Sequence, residues 1–199
     1  MNFLGHAYLA RNNPELIAGN FAGDGYKGNL DKFHELPAHI LNGVRLHRKI
    51  DQLTDTNENV RSAGRIFQEN GVSRVAFIAT DILVDYYLSS HWEEFHGSEY
   101  EEFLSFIYES TDAQLEYLDA GFVWMYDKLK RYRWMHQYNT IEGIEQIMQQ
   151  FSGRIGFEND LLLAAEIYKA KKEEINPYFY QFLKDIDVEI SLFIKDNLE

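Results

Sequence analysis

His47, Asp51 and Asp55 recur at four-residue steps within a stretch, Gly43 to Asp55, whose apolar residues Val44, Leu46, Ile50 and Leu53 keep a helical period. Side chains four apart on an α-helix lie roughly 40° from each other around the axis, so they share a face. An imidazole and a carboxylate one turn apart can close on a single divalent cation. Arg45, Arg48 and Lys49 are interleaved with them, and cationic side chains beside a metal clamp suit a substrate that carries phosphate. The same pattern also fits an ordinary His–Asp contact on a surface helix.

A second pair of acids, Asp81 and Asp85, lies in the apolar run from Ser73 to about His91, which reads as a central, largely buried helix. An unpaired carboxylate there would be costly, so each needs a cation, a donor network or a path to water. Pairing with Arg or Lys elsewhere meets that need. Facing the His47–Asp51 helix and completing an oxygen-rich cage for Mn²⁺ or Mg²⁺ meets it as well. His6 on an apolar N-terminal helix reads as a core histidine or a ligand, and Asp24 between Gly23 and Gly25 as a turn residue. His91 can interact with the last carbonyls of its helix. His34, His39, His96 and His136 have no partner at suggestive spacing. No nucleophile-elbow pattern occurs, and Gly19 to Gly28 lacks the spacing and flanking strand of a phosphate-binding loop.

The elements that must position these residues all read as helices. Helical patterns span 2–11, a segment from Pro14 to about Asp24, Pro37 to about Thr54, a segment from Asp55 to Asn70, and Ser73 to about His91. Beyond them come 98–118, Phe122 to about Met135, Thr140 to Phe151, Leu161 to Lys172, and Pro177 to about Leu198, with Lys27 to Glu35 as a loop. Sustained period-two alternation, hairpin dipeptides and internal repeats are missing. The expectation is an all-α chain forming one domain over residues 1–199. Residues 1–92 would build the metal site, and 93–199 would complete the core and offer a docking face.

The 199 residues suffice for one substantial core. No cysteine is present, so thiolate catalysis, disulfides and zinc ribbons are excluded. A formal net charge of −13 argues against general nucleic-acid binding. Neither a signal peptide nor a membrane span is expected, and the expected location is the cytoplasm. An aromatic content of 15% with only three prolines points to long helices packed on bulky side chains.

Together these residues resemble the acyl carrier protein phosphodiesterase family. The resemblance rests on the opening Met1-Asn2-Phe3-Leu4-Gly5-His6, and on Gly19-Asn20-Phe21 leading to Asp24 and Lys27-Gly28. It continues through Gly43, His47-Arg48-x-Ile50-Asp51 with Thr54-Asp55, and Asp81-x-x-x-Asp85 followed by His91-Trp92. The similarity is dense over residues 1–92 and thins afterwards to matches such as Arg131-Tyr132-Arg133 and Gly153-Arg154. Position 5 is Gly where the family usually has Ala, and Gly23 and Gly25 replace bulkier residues, which is expected to loosen the backbone around Asp24.

The resemblance implies a divergent helical member of the HD phosphohydrolase superfamily that depends on a divalent metal, Mn²⁺ before Mg²⁺. Its implied reaction removes the 4′-phosphopantetheine arm from holo acyl carrier protein, in the setting of fatty acid biosynthesis. The implied metal ligands are His47, Asp51, Asp81 and Asp85, joined by His6. Asp24 and His91 are implied as further ligands or proton donors, and Arg48 as a phosphate clamp with Arg45 behind it. Carrier proteins of this kind are acidic, so docking on a chain of charge −13 requires a local basic face. Arg45, Arg48 and Lys49 near the site, and Lys128, Lys130, Arg131 and Arg133 on a later helix, are its candidates. The acids concentrate between Glu93 and Asp119, where no Lys or Arg occurs. Two other readings remain open: a metal-dependent phosphohydrolase of nucleotides or another small phosphoester, and a non-catalytic helical module that binds a partner.

Overall fold

Long apolar periods without strand-like alternation fold as eleven α-helices in the computed structural model, which describes residues 1–198. They are α1 (Phe3–Leu9), α2 (Pro14–Phe21), α3 (Ala38–Thr56), α4 (Glu58–Glu69), α5 (Ala76–Ser90), α6 (Trp92–Phe95), α7 (Tyr100–Asp112), α8 (Ala120–Arg131), α9 (Trp134–Gln137), α10 (Ile141–Ser152) and α11 (Leu161–Asn197). No strand occurs among the described residues, so the chain is all-α. Short 3-10 turns at Gly23–Gly25 and Leu30–Phe33 carry the chain from α2 to α3.

Local chemistry sets most boundaries. Asn13 caps α2 through the amide of Glu15, with Pro14 in its first turn. Asn57 accepts from the amides of Asn59 and Val60 to open α4, and Gly71, at φ 106°, lets the chain leave it. Two expected boundaries differ. The helix foreseen from Phe122 to Met135 stops at Arg131, because Arg133 takes a left-handed backbone (φ 51°) and α9 starts afresh. The two helices foreseen at 161–172 and 177–198 are both present within α11, but they abut at a kink where Lys171 leaves helical geometry (φ −124°, ψ 19°), with no gap up to Pro177. Proline removes an intrahelical bond and crowds the preceding turn. The helix nevertheless resumes, because Ala164 and Tyr168 before the bend and Phe179, Phe182 and Ile186 after it bury in the same core.

Two contacts fix the helices that matter for chemistry. The first joins α2 to α3. A Cβ on Gly19 would lie 2.2 Å from the Ile40 carbonyl oxygen, and one on Gly43 would lie 2.6 Å from the Asn20 nitrogen. The helices therefore cross backbone to backbone, a separation that no other residue pair permits. The second joins α1 to α5. Asp85, fully buried, accepts the amides of Leu4 (2.8 Å), Asn2 (3.2 Å) and Gly5 (3.2 Å), the unsatisfied donors of the first turn of α1. Burial pushes the Asp85 carboxyl up to about 7, against the opposing pull of the Met1 ammonium and these amides. One turn earlier, Asp81 pairs with the Met1 ammonium at 2.5 Å.

Gly43→Ala is expected to destabilise the protein by about 2–3 kcal/mol, because its methyl group can enter only by parting two backbones. Urea unfolding followed by far-UV circular dichroism measures it. A loss under about 0.5 kcal/mol, the range of an ordinary surface change, would contradict the close crossing.

Candidate metal centre

Asn20, at the end of α2 and fully buried, faces α1 on one side and α3 on the other. Its carboxamide nitrogen donates to the His6 carbonyl at 2.6 Å, which fixes the amide's orientation and leaves Oδ1 as an acceptor. His6 Nδ1 lies 3.1 Å from that Oδ1, and His47 Nδ1 lies 2.8 Å from the Asn20 main-chain oxygen. Neither oxygen can donate, so both imidazoles carry a proton on Nδ1. The two rings stack at 4.2 Å between centroids, 22° apart in plane. Their Nε2 atoms consequently face the same small volume.

Asp51 meets them there. Its Oδ1 lies 3.2 Å from His6 Nε2 and its Oδ2 3.2 Å from His47 Nε2. One ligand atom from each of His6, His47 and Asp51 falls within 4.8 Å of the others. Asp24, exposed on the 3-10 turn, adds Oδ1 at 3.6 Å from His47 Nε2. Although two carboxylates approach it, His47 Nε2 is buried and makes no hydrogen bond among the described residues. A buried nitrogen without a partner, beside oxygens at the wrong angle to satisfy it, is what a cation-binding set looks like with the ion removed. The chemistry of the donors, two imidazoles and two carboxylates, fits a divalent cation, with Asn20 as the outer partner that orients both rings.

The titration behaviour follows from this geometry. Burial is the largest influence on His6 and takes its imidazole below its ordinary value, with Asp51 opposing and the His47 charge adding to the fall. Burial also weighs on His47, but its contacts with Asp24 and Asp51 outweigh it and hold the imidazole at about 9. Burial alone would raise Asp51, yet the contacts with His47 and His6 keep it well below the usual carboxylate range. Asp24 is lowered too, chiefly by His47.

The expected site residues divide into those brought together and those not. His6, His47, Asp51 and Asp24 converge. Asp81 and Asp85 do not reach the cluster: the half-exposed Asp81 holds the Met1 ammonium and the buried Asp85 accepts the amides of α1, so each is met by its own donors rather than by a shared ion. His91 stands elsewhere, its ring on Tyr87 at 4.1 Å and its Nδ1 against the Tyr87 carbonyl and the Ser90 hydroxyl. Arg48 is turned away from the cleft and donates to the Tyr26 carbonyl at 2.6 Å. Asp55 lies in the groove beyond Asp51. Gly23 is not a loosening residue, since a Cβ there would stand 2.1 Å from the His47 ring. The bare backbone is what lets the Asp24 turn close over the imidazole.

Later residues brace that turn. Tyr26 donates to the Tyr117 carbonyl at 2.9 Å and accepts the Asp119 amide at 3.1 Å. Phe122 and Tyr126 of α8 pack edge-on against Phe21, which lines the cleft beside Met1, Asn2 and Phe3. The enclosed volume of the cleft is about 60 Å³. Among the basic candidates, Lys130, Arg131 and Arg133 are paired with Asp112, Asp127 and Glu101. Arg45 bonds only the Asn42 amide oxygen, Lys49 reaches Gln52, and Lys128 lies over the Trp124 ring at 3.4 Å. No described helix is long and apolar enough to cross a membrane.

Comparison with known proteins places this architecture. The family model described as acyl carrier protein phosphodiesterase matches residues 1–186. The chain is 30% identical over 155 residues to a protein named acyl carrier protein phosphodiesterase from Escherichia coli O6:K15:H31 (strain 536 / UPEC), which covers 77% of this chain and 79% of that one. The like-named proteins of Escherichia coli O45:K1 (strain S88 / ExPEC) and O139:H28 (strain E24377A / ETEC) are 30% and 29% identical over the same shares. No solved structure matches.

In metal-free protein, the His47 imidazolium is expected to titrate near 9, which ¹⁵N NMR of the ring nitrogens would read. A histidine raised in the folded state stabilises the fold fully below its unfolded value of 6.5, and that contribution is lost as pH rises through about 9. In Asp51→Asn the midpoint should drop by roughly one unit or more. A midpoint that stays put in this variant would remove Asp51 from the cluster.

Proposed function

The chain belongs to the acyl carrier protein phosphodiesterase family, and from that membership we propose that it is a phosphoric diester hydrolase that releases 4′-phosphopantetheine from holo acyl carrier protein. One observation carries the assignment of the reaction to this cleft: two imidazoles locked by Asn20 turn their Nε2 atoms onto the Asp51 carboxylate, with Asp24 at the rim. In this reading His6, His47, Asp51 and Asp24 hold a divalent cation, Mn²⁺ before Mg²⁺, as mixed imidazole and carboxylate donors suit.

A divalent cation held there would supply a nucleophile near neutral pH and neutralise phosphoryl charge. The chain's own residues do the rest. Asn20 keeps both imidazoles in the tautomer that leaves Nε2 able to coordinate. Asp24, held ionised beside His47, is an acceptor and not a donor, so we assign it to take a proton from the attacking water at the solvent side. Asp85 and Asp81 position His6 through the start of α1. Arg48 acts through the Tyr26 carbonyl on the turn that carries Asp24, so it is a positioning residue. His91 takes no part. Phe21 and Phe3 wall the cleft and exclude bulk water.

The acidic carrier protein would dock on the cations that lack a carboxylate partner, Arg45 and Lys49 on α3 and Lys128 on α8. Lys130, Arg131 and Arg133, already paired on the protein's own surface, contribute less.

Incubating holo acyl carrier protein with the enzyme and Mn²⁺ should remove the mass of the phosphopantetheine group, and a chelator should stop it. Asp51→Ala is expected to lower kcat/KM by about 100-fold or more, and Asn20→Ala to weaken Mn²⁺ binding roughly 10- to 100-fold. Release that persists undiminished in chelator defeats the metal-dependent reading. Cleavage of nucleotides or simple phosphoesters with holo carrier protein left intact supports a small-substrate phosphohydrolase instead. A second expectation concerns docking: Arg45→Glu with Lys49→Glu should reduce kcat/KM for the carrier protein roughly tenfold at low salt and flatten its salt dependence. A salt dependence equal to wild type would place the docking face elsewhere.

A further inference from the structure

The metal cleft is small, about 60 Å³, well below the roughly 300–1,000 Å³ of an ordinary small-molecule pocket. The rest of a phosphopantetheine arm must lie outside it. A groove of about 390 Å³ is lined by Thr54 and Asp55 of α3, Val60 and Arg61 of α4, and Phe77 and Asp81 of α5. Two links join the spaces. Asp55 stands one helical turn beyond Asp51 on the same helix, and Asp81 grips the ammonium of Met1, which lines the cleft.

We infer that this groove receives the pantetheine arm, with Phe77 as its main contact; the inference rests on the reaction proposed above and adds where the substrate lies. Phe77 is 46% exposed, an unusual surface position for a large aromatic, yet its place is prepared. A Cβ on Gly64 would fall 2.7 Å from the Phe77 ring, so α4 carries a glycine where the ring lies against it. The lining fits the arm's chemistry. Phe77 and Val60 offer carbon surface to its gem-dimethyl carbon and methylenes. Asp55, Asp81 and Thr54 offer oxygens to its hydroxyl and two amide N–H groups. The one cation, Arg61, is already paired with Glu58 at 3.0 Å. With Asp81 paired to the Met1 ammonium and Arg61 to Glu58, Asp55 is the uncompensated charge of the groove and disfavours an anion there, so phosphate belongs at the histidines and a neutral, amide-bearing chain in the groove.

The test compares wild type, Phe77→Ala and Phe77→Leu on two substrates, holo acyl carrier protein and bis(p-nitrophenyl) phosphate, which has no arm. In Phe77→Ala the ratio of kcat/KM for holo carrier protein to that for the small diester should fall about tenfold, and in Phe77→Leu most of it should return. Free 4′-phosphopantetheine, titrated calorimetrically into the Mn²⁺-loaded protein, should bind about tenfold more weakly to Phe77→Ala. Urea unfolding checks that the variants remain folded, as a half-exposed site should allow. An unchanged ratio with unchanged product affinity overturns the groove assignment while leaving the reaction standing. A loss seen only with long-acyl carrier protein overturns it too, since the groove would then hold the acyl chain. Wild-type enzyme that cleaves the small diester but never holo carrier protein overturns the underlying reaction, and the groove assignment with it.

Discussion

The closeness of α2 to α3 is the constraint on which the site depends. Asn20 follows Gly19 directly, and His47 lies one turn beyond Gly43, so the backbone contact between the two glycines brings the Asn20 carbonyl against the His47 ring. The same asparagine turns its side chain to α1 and holds His6 through both its main-chain carbonyl and its Nδ1. Three helices are thereby registered by one residue. A parting of α2 from α3 by even a methyl group would lengthen the His47 bond and unstack the rings, because both imidazoles take their orientation from a single buried amide. Loss of order would spread to the Asp24 turn, whose Gly23 lies on the His47 ring.

Much of this was legible in the residues. Helical periods gave nearly every element, and the four-residue step from His47 to Asp51 placed an imidazole beside a carboxylate on one face, where both stand. What spacing could not reveal was the use made of the buried acids. Asp81 and Asp85 repeat the same step, and a buried carboxylate needs cationic or hydrogen-bonding partners; that need says nothing about which partner is chosen. Here the partners are main-chain amides and an ammonium from α1, groups without a side-chain signature. Asn20 was invisible as a site residue for a related reason, since a residue that bonds both neighbours through backbone and amide atoms leaves no periodic trace. Arg48 and His91 stand apart from the cluster because adjacency in sequence to His47 or to α5 does not fix side-chain direction; His91 meets the last carbonyls of α5 instead. The kink at Lys171 divides α11 close to where the sequence places a break, and both halves bury apolar faces in one core.

The cleft carries its own charge balance. Asp24 and Asp51 are both held ionised, and the imidazoles facing them respond unequally. His6, the more deeply buried, stays neutral, whereas His47 accepts a proton because two carboxylates approach it. A divalent cation held by these donors would compete with the proton on His47 for the same nitrogen and carboxylates, so its binding would release that proton and strengthen as pH rises.

A net charge of −13 opposes the long-range approach of an acidic protein, and the pairing of the cations bears on where one could dock. On α8 the basic run is largely answered by Asp112, Asp127 and Glu101, so its field is short-ranged. Arg45 and Lys49, on the helix that bears His47, meet only neutral amides. Arg45 and Lys49 are among the described cations without a carboxylate partner, as are Arg74, Lys128, Arg154 and Lys184, which lie over aromatic rings, while the acids between Glu93 and Asp119 lie on later elements. An acidic partner would be repelled at long range by the molecule as a whole, so docking requires a local basic surface of the kind proposed for Arg45 and Lys49.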